Sequence, residues 1–93
     1  MTTRVVYSRR AAAEAEEIEA FLSEHSASAA ERFRQSLERA EQQLSQFPNS
    51  GARGLRPGTR RLVIGNYIVS YRGRGDNVEI FAVRHARRRD ARF

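Results

Sequence analysis

The sequence predicts a two-layer α+β fold in the order β-α-α-β-β-β, and three observations carry that prediction. A short β-branched opening precedes two consecutive runs of helical spacing. Pro48 stops the second run. The remainder alternates apolar and polar positions between glycine-bearing turns. Packing the two helices against a meander of antiparallel strands, with the first strand beside it, gives one domain over residues 1–93.

Each element follows from local chemistry. Residues 2–7 place Thr3, Val5 and Tyr7 on one side and Arg4 and Val6 on the other, the period of a strand. Ser8 is positioned as a helix N-cap. Ala11, Ala15, Ile18 and Leu22 then recur at helical intervals, with glutamates around most of the remaining circumference, to about His25. Ser28 with Glu31 has capping-box spacing, and Ser26 is the alternative cap for a second helix. Its stripe is Ala30, Phe33, Leu37, Ala40, Leu44 and Phe47. A link of about three residues forces the two helices into an antiparallel hairpin.

Residues 49–59 hold three glycines and Pro57 without an apolar period, which predicts an irregular connection. Strands are expected over 61–64 and 67–72 around the two-residue turn Gly65-Asn66, then over 78–85 after a turn at 73–77. Strict alternation in the last strand sets Val78, Ile80 and Ala82 against Phe81 and Val83. The two sheet faces would then both be apolar, and the helices can cover only one. Either the chain's own segments or a partner must cover the other.

Composition narrows the function classes. With no cysteine, disulfide frameworks, thiolate metal sites and cysteine nucleophiles are excluded. Two histidines far apart in sequence, and no acidic cluster of calcium spacing, lead us to expect no metal and no cofactor. No apolar run approaches the ~20 residues of a membrane span, so a cytoplasmic protein with no membrane partner is expected. All 17 basic residues are arginine. Residues 1–46 carry a net charge of −2 and residues 47–93 carry +8, so an anionic partner for the second half is expected.

Several strings resemble the ParE/RelE toxin superfamily of bacterial toxin-antitoxin systems. They are Val5-Val6-Tyr7-Ser8, Ala29-Ala30-Glu31-Arg32-Phe33 and the helix exit from Leu44 to Gly51. The hairpin from Arg60 to Arg72 and the last strand with its His85-x-x-Arg88 exit are also similar to it. The resemblance implies a small toxin neutralised by a cognate antitoxin. In the ParE-like branch, which the arginine-rich tail and long helical hairpin resemble more closely, it implies inhibition of DNA gyrase rather than enzymatic activity. The expected antitoxin-binding or target-binding residues are Arg60, Arg61, Tyr67, Tyr71, Phe81, Arg84, Arg87 and Arg88.

The RelE-like branch implies instead a ribosome-dependent endoribonuclease acting on mRNA. Cleavage through the 2′-hydroxyl needs a base, an acid and cations around the phosphate. His85, with Tyr67, Tyr71 and Glu79 as further candidates, would serve proton transfer, and Arg60, Arg84 and Arg88 would hold the phosphate. Arg60 and Arg61 point to opposite faces if both lie in one strand. That branch commonly supplies catalytic lysines and a C-terminal tyrosine. This sequence has no lysine and ends in Phe93. A plain nucleic-acid-binding module would rest on the basic half alone and show steeply salt-dependent affinity.

Overall fold

The computed structural model describes residues 2–87. Its elements are β1 (Arg4–Tyr7), α1 (Arg9–His25), α2 (Ala27–Gln46), β2 (Ala52–Arg53), β3 (Thr59–Ile64), β4 (Tyr67–Arg74) and β5 (Asn77–His85). The five strands form one sheet in the order β1-β5-β4-β3-β2. The meander β3-β4-β5 is antiparallel, while β1 lies parallel to β5, so the sheet is mixed.

The helices start where serine can cap them. Ser8 Oγ accepts the Ala11 N–H at 3.0 Å and Ser26 Oγ accepts the Ala29 N–H at 3.2 Å. Ser26 alone separates the helices, because its own N–H also closes α1 on Leu22 O at 2.7 Å. The connection is thus shorter than the sequence predicts, and Ser26 rather than Ser28 is the cap. The α2 stripe Ala30, Phe33, Leu37, Ala40 and Leu44 is buried as its spacing predicts, while Phe47 at the helix exit is exposed.

Within the predicted irregular connection, Ala52 and Arg53 pair with Arg61 and Arg60 as a short edge strand. Gly65-Asn66 is a two-residue turn between Ile64 and Tyr67, with positive φ at Gly65 and not at Asn66. The second turn is tighter than 73–77: β4 runs on to Arg74, which pairs with Asn77, leaving Gly75 and Asp76 as the turn and Gly75 at φ +60°.

The largest departure from strict alternation lies in β5. Ser70 pairs with Ala82 and the next residue, Tyr71, with Ile80, so Phe81 is an extra residue in a β-bulge. One inserted residue reverses the facing of everything beyond it. Val83 therefore joins Val78 and Ile80 against the helices, and Ala82 turns to the outer face beside Ser70. The core, which includes Phe33, Leu37, Leu44, Val69, Tyr71, Ile80 and Val83, gains a β-branched side chain that the outer face loses. What remains outside is mixed. Val63 is 65% exposed, Ile68 and Phe81 are half-buried, and Arg61, Arg72 and Glu79 stand among them.

Candidate functional site

The residues named from the sequence separate into three places. Arg60 and Tyr71 lie on the helix-facing side of neighbouring strands. The Tyr71 hydroxyl accepts the Gly51 N–H at 2.9 Å, and Arg60 Nη1 donates to Gly51 O at 2.9 Å. At 2% exposure Tyr71 offers no surface to a partner. The two side chains clamp the loop between α2 and β2.

Arg61 and Phe81 belong to the outer face. Arg61 pairs with Ser70, and the Arg72 guanidinium carbon sits 5.3 Å from the Phe81 ring centroid. Beside them Glu79, 6% exposed, holds Arg72 Nη2 at 3.0 Å and Arg74 Nη1 at 2.8 Å. Burial works to raise the Glu79 carboxyl. The hydrogen bonds and charges of the two arginines outweigh it and hold the group below its ordinary value of 4.5. Glu79 is therefore an ionised hub for two cations, a role that does not suit it to proton transfer near neutrality.

The third place is a groove of about 630 Å³ between α1 and the free edge of β5, lined by Arg10, Glu14, Phe21, Tyr67, Arg84 and His85 among others. Tyr67 and His85 are cross-strand partners whose rings meet edge to face at 5.2 Å, and Tyr67 meets Phe33 in the same manner at 4.9 Å. Burial pushes the Tyr67 phenol up, so it stays protonated. His85 Nδ1 accepts the Arg87 N–H at 3.1 Å, which fixes the ring at the strand end. Arg84 Nε lies 2.9 Å from Glu14 Oε2, and the other oxygen of Glu14 accepts the Val83 N–H at 2.9 Å. Arg87 is exposed just beyond, and Arg88 lies outside the described residues, as does the rest of the basic tail.

The proposed phosphate-holding set is not brought together. Arg60 stands level with Tyr71 and Arg84 level with Ile68, three residues away along β4, a separation of roughly 10 Å along the strands alone. Arg60 also reaches toward Gly51, away from the groove.

Sequence reasoning missed Glu14 at the groove, Gly51 in the clamp and the pairing of Glu79 with Arg72 and Arg74. Glu14 carried one local signal, its i,i+4 spacing from Arg10, whose Nε lies at 3.3 Å. Its contacts with Val83 and Arg84 depend on the packing of α1 against β5, which no local pattern encodes. Away from these places, Tyr7 donates to Glu41 Oε2 at 2.6 Å and joins β1 to α2. Burial, then the hydrogen bond and charge of Glu41, raise its phenol. Among the described residues, no group of three or more His, Cys, Asp and Glu is placed to hold a metal. No helix among them is long and apolar enough to cross a membrane.

Residues 5–90 match the family described as ParE toxin of type II toxin-antitoxin system, parDE. A solved structure of a chromosomal ParDE TA system from P. aeruginosa superposes with a TM-score of 0.73, covering 89% of this chain and 95% of that chain. At 22% identity that likeness speaks for the fold. No curated protein matches the chain.

Proposed function

Since this chain belongs to the ParE toxin family of type II toxin-antitoxin systems, we propose that it blocks replication by binding DNA gyrase and that a cognate antitoxin holds it in check. The separation of Arg60 from the groove that gathers Arg84, His85 and Tyr67 is the observation that carries the reading. Arg60 is committed to Gly51 O, Arg84 to Glu14, and His85 is fixed by Arg87 and Tyr67. A phosphate held at Arg84 would lie far from Arg60. With no lysine in the chain, a mode of action through surface contact fits better than strand cleavage.

Of the residues named from the sequence, Arg61, Phe81, Arg84, Arg87 and Tyr67 are those we assign to antitoxin or target contact. Arg60 and Tyr71 act on it through the Gly51 loop. Arg88 belongs to the same proposal by position, one residue beyond Arg87.

Purified protein added to gyrase should inhibit supercoiling or trap cleaved DNA. Induction without antitoxin should arrest replication and raise the DNA-damage response while transcripts stay intact. Unaltered supercoiling and cleavage would remove the gyrase reading. Should transcript-end mapping instead show cuts on translated mRNA that disappear in His85→Ala and Arg84→Ala, the ribosome-dependent endoribonuclease replaces it.

A further inference from the structure

The outer face of the sheet, turned away from the helices, carries a stripe of arginine. Val5 and Tyr7 of β1 pack on the core, so alternation turns Arg4 and Val6 outward. Arg4 pairs with Asn77, which pairs on its other side with Arg74. Arg72 shares the face of Arg74, two residues back along β4. It stands opposite Thr59, and Arg61 lies two residues further along β3. Neighbours are separated by roughly 10 Å from Arg4 to Arg74 across two strand spacings, then by about 7 Å to Arg72 and about 7–8 Å on the diagonal to Arg61. Arg4, Arg72 and Arg74 are exposed and Arg61 is half-buried. Glu79, 6% exposed, lies among them and ties Arg72 and Arg74 in place. Asp76 stands in the turn at the end of the stripe, so the cations outnumber the carboxylates on this face.

We propose that this stripe binds the phosphate backbone of duplex DNA, so that the toxin engages the DNA segment held by gyrase as well as the enzyme. The link to gyrase rests on the reading above. Charge and spacing select the occupant. A duplex presents a regular line of anions, about one per 3.4 Å of axis on each strand, and arginine grips phosphate oxygens through its planar fork. Arg74 spends Nη1 on Glu79, and Arg72 spends Nε and Nη2, so each guanidinium keeps further donors for a phosphate. The carboxylate beneath holds both side chains in place before the DNA arrives, which lowers the entropy lost on binding. Phe81 argues for a duplex over a single strand. Its ring is half-buried and carries the Arg72 guanidinium carbon 5.3 Å from its centroid, so it is no open platform for an unstacked base. A line of cations also suits a polymer of evenly spaced charge better than an acidic peptide, whose carboxylates have no such period.

The test titrates the purified chain onto a fluorescein-labelled DNA duplex of mixed sequence, read by anisotropy at several salt concentrations, and carries the same variants into a gyrase supercoiling assay. The duplex should bind with log K falling against log salt at a slope of about −3. Arg4→Ala and Arg61→Ala should each weaken binding about threefold or more and reduce the slope by about one, with Tm close to native because neither holds Glu79. Arg39→Ala, which removes an exposed arginine of α2, should bind the duplex as the native chain does. A chain that binds no duplex, an equal loss in Arg39→Ala, or tighter binding of single-stranded DNA or RNA overturns the assignment. The double variant Arg4→Ala, Arg61→Ala should need about tenfold more protein to inhibit supercoiling, and inhibition at native concentrations overturns the link to the DNA held by gyrase. Duplex binding with the expected variant pattern, beside a native chain that leaves gyrase untouched, overturns the gyrase reading while the DNA site stands.

Discussion

A Cβ added to Gly51 would meet Arg61 O and the Tyr71 hydroxyl, each at 2.7 Å, the second being the group that accepts its N–H. Gly51→Ala should therefore destabilise the fold by about 2 kcal/mol, read by denaturant unfolding, since the loop must retreat from its clamp. Tyr71→Phe should cost about 1–2 kcal/mol by leaving the Gly51 amide unsatisfied. Strand alternation made Tyr71 legible as a helix-facing residue. Nothing local marked Gly51, because the atoms that exclude a side chain lie ten and twenty positions away. Glu79 gives a pH prediction. Its folded carboxyl titrates below 4.5, so the stability from its arginine pairs is fully present above that value and is lost as pH falls through the folded pKa. Chemical denaturation below pH 4.5 should show a steeper loss in the native chain than in Glu79→Gln.

At the scale of elements, the helical hairpin was legible almost to the residue, because a 3-4 apolar spacing and serine caps are local signals. Ser26→Ala should cost about 1 kcal/mol, while Ser28→Ala should cost less, since only Ser26 Oγ caps the α2 amides. The bulge was not legible. A one-residue insertion is defined only against the strand it pairs with, and alternation read along β5 alone assigns Val83 to the wrong face. Deleting Phe81 should remove the bulge while keeping Ala82 opposite Ser70 and Val83 in the core opposite Val69. We expect thermal unfolding to stay cooperative in that deletion as in Phe81→Ala, and a deletion variant without a cooperative transition would show that the bulge itself is required.

For the whole molecule, the split between an acidic first half and a basic second half becomes spatial. The glutamate-rich helices form one layer and the arginine-bearing strands the other. An acidic partner is steered toward the sheet side, so its association rate, measured by stopped flow, should fall as salt rises while its dissociation changes little. The layer order was legible from the sequence; the parallel placement of β1 was not, because it depends on pairing between the two ends of the chain. That pairing has a consequence for synthesis. The first strand to leave the ribosome has no neighbour until Asn77 to Ile80 follow, so nascent protein remains open through most of its translation. Chains arrested ahead of Asn77 should be protease-sensitive throughout, since β1 cannot join the sheet before its partner strand exists.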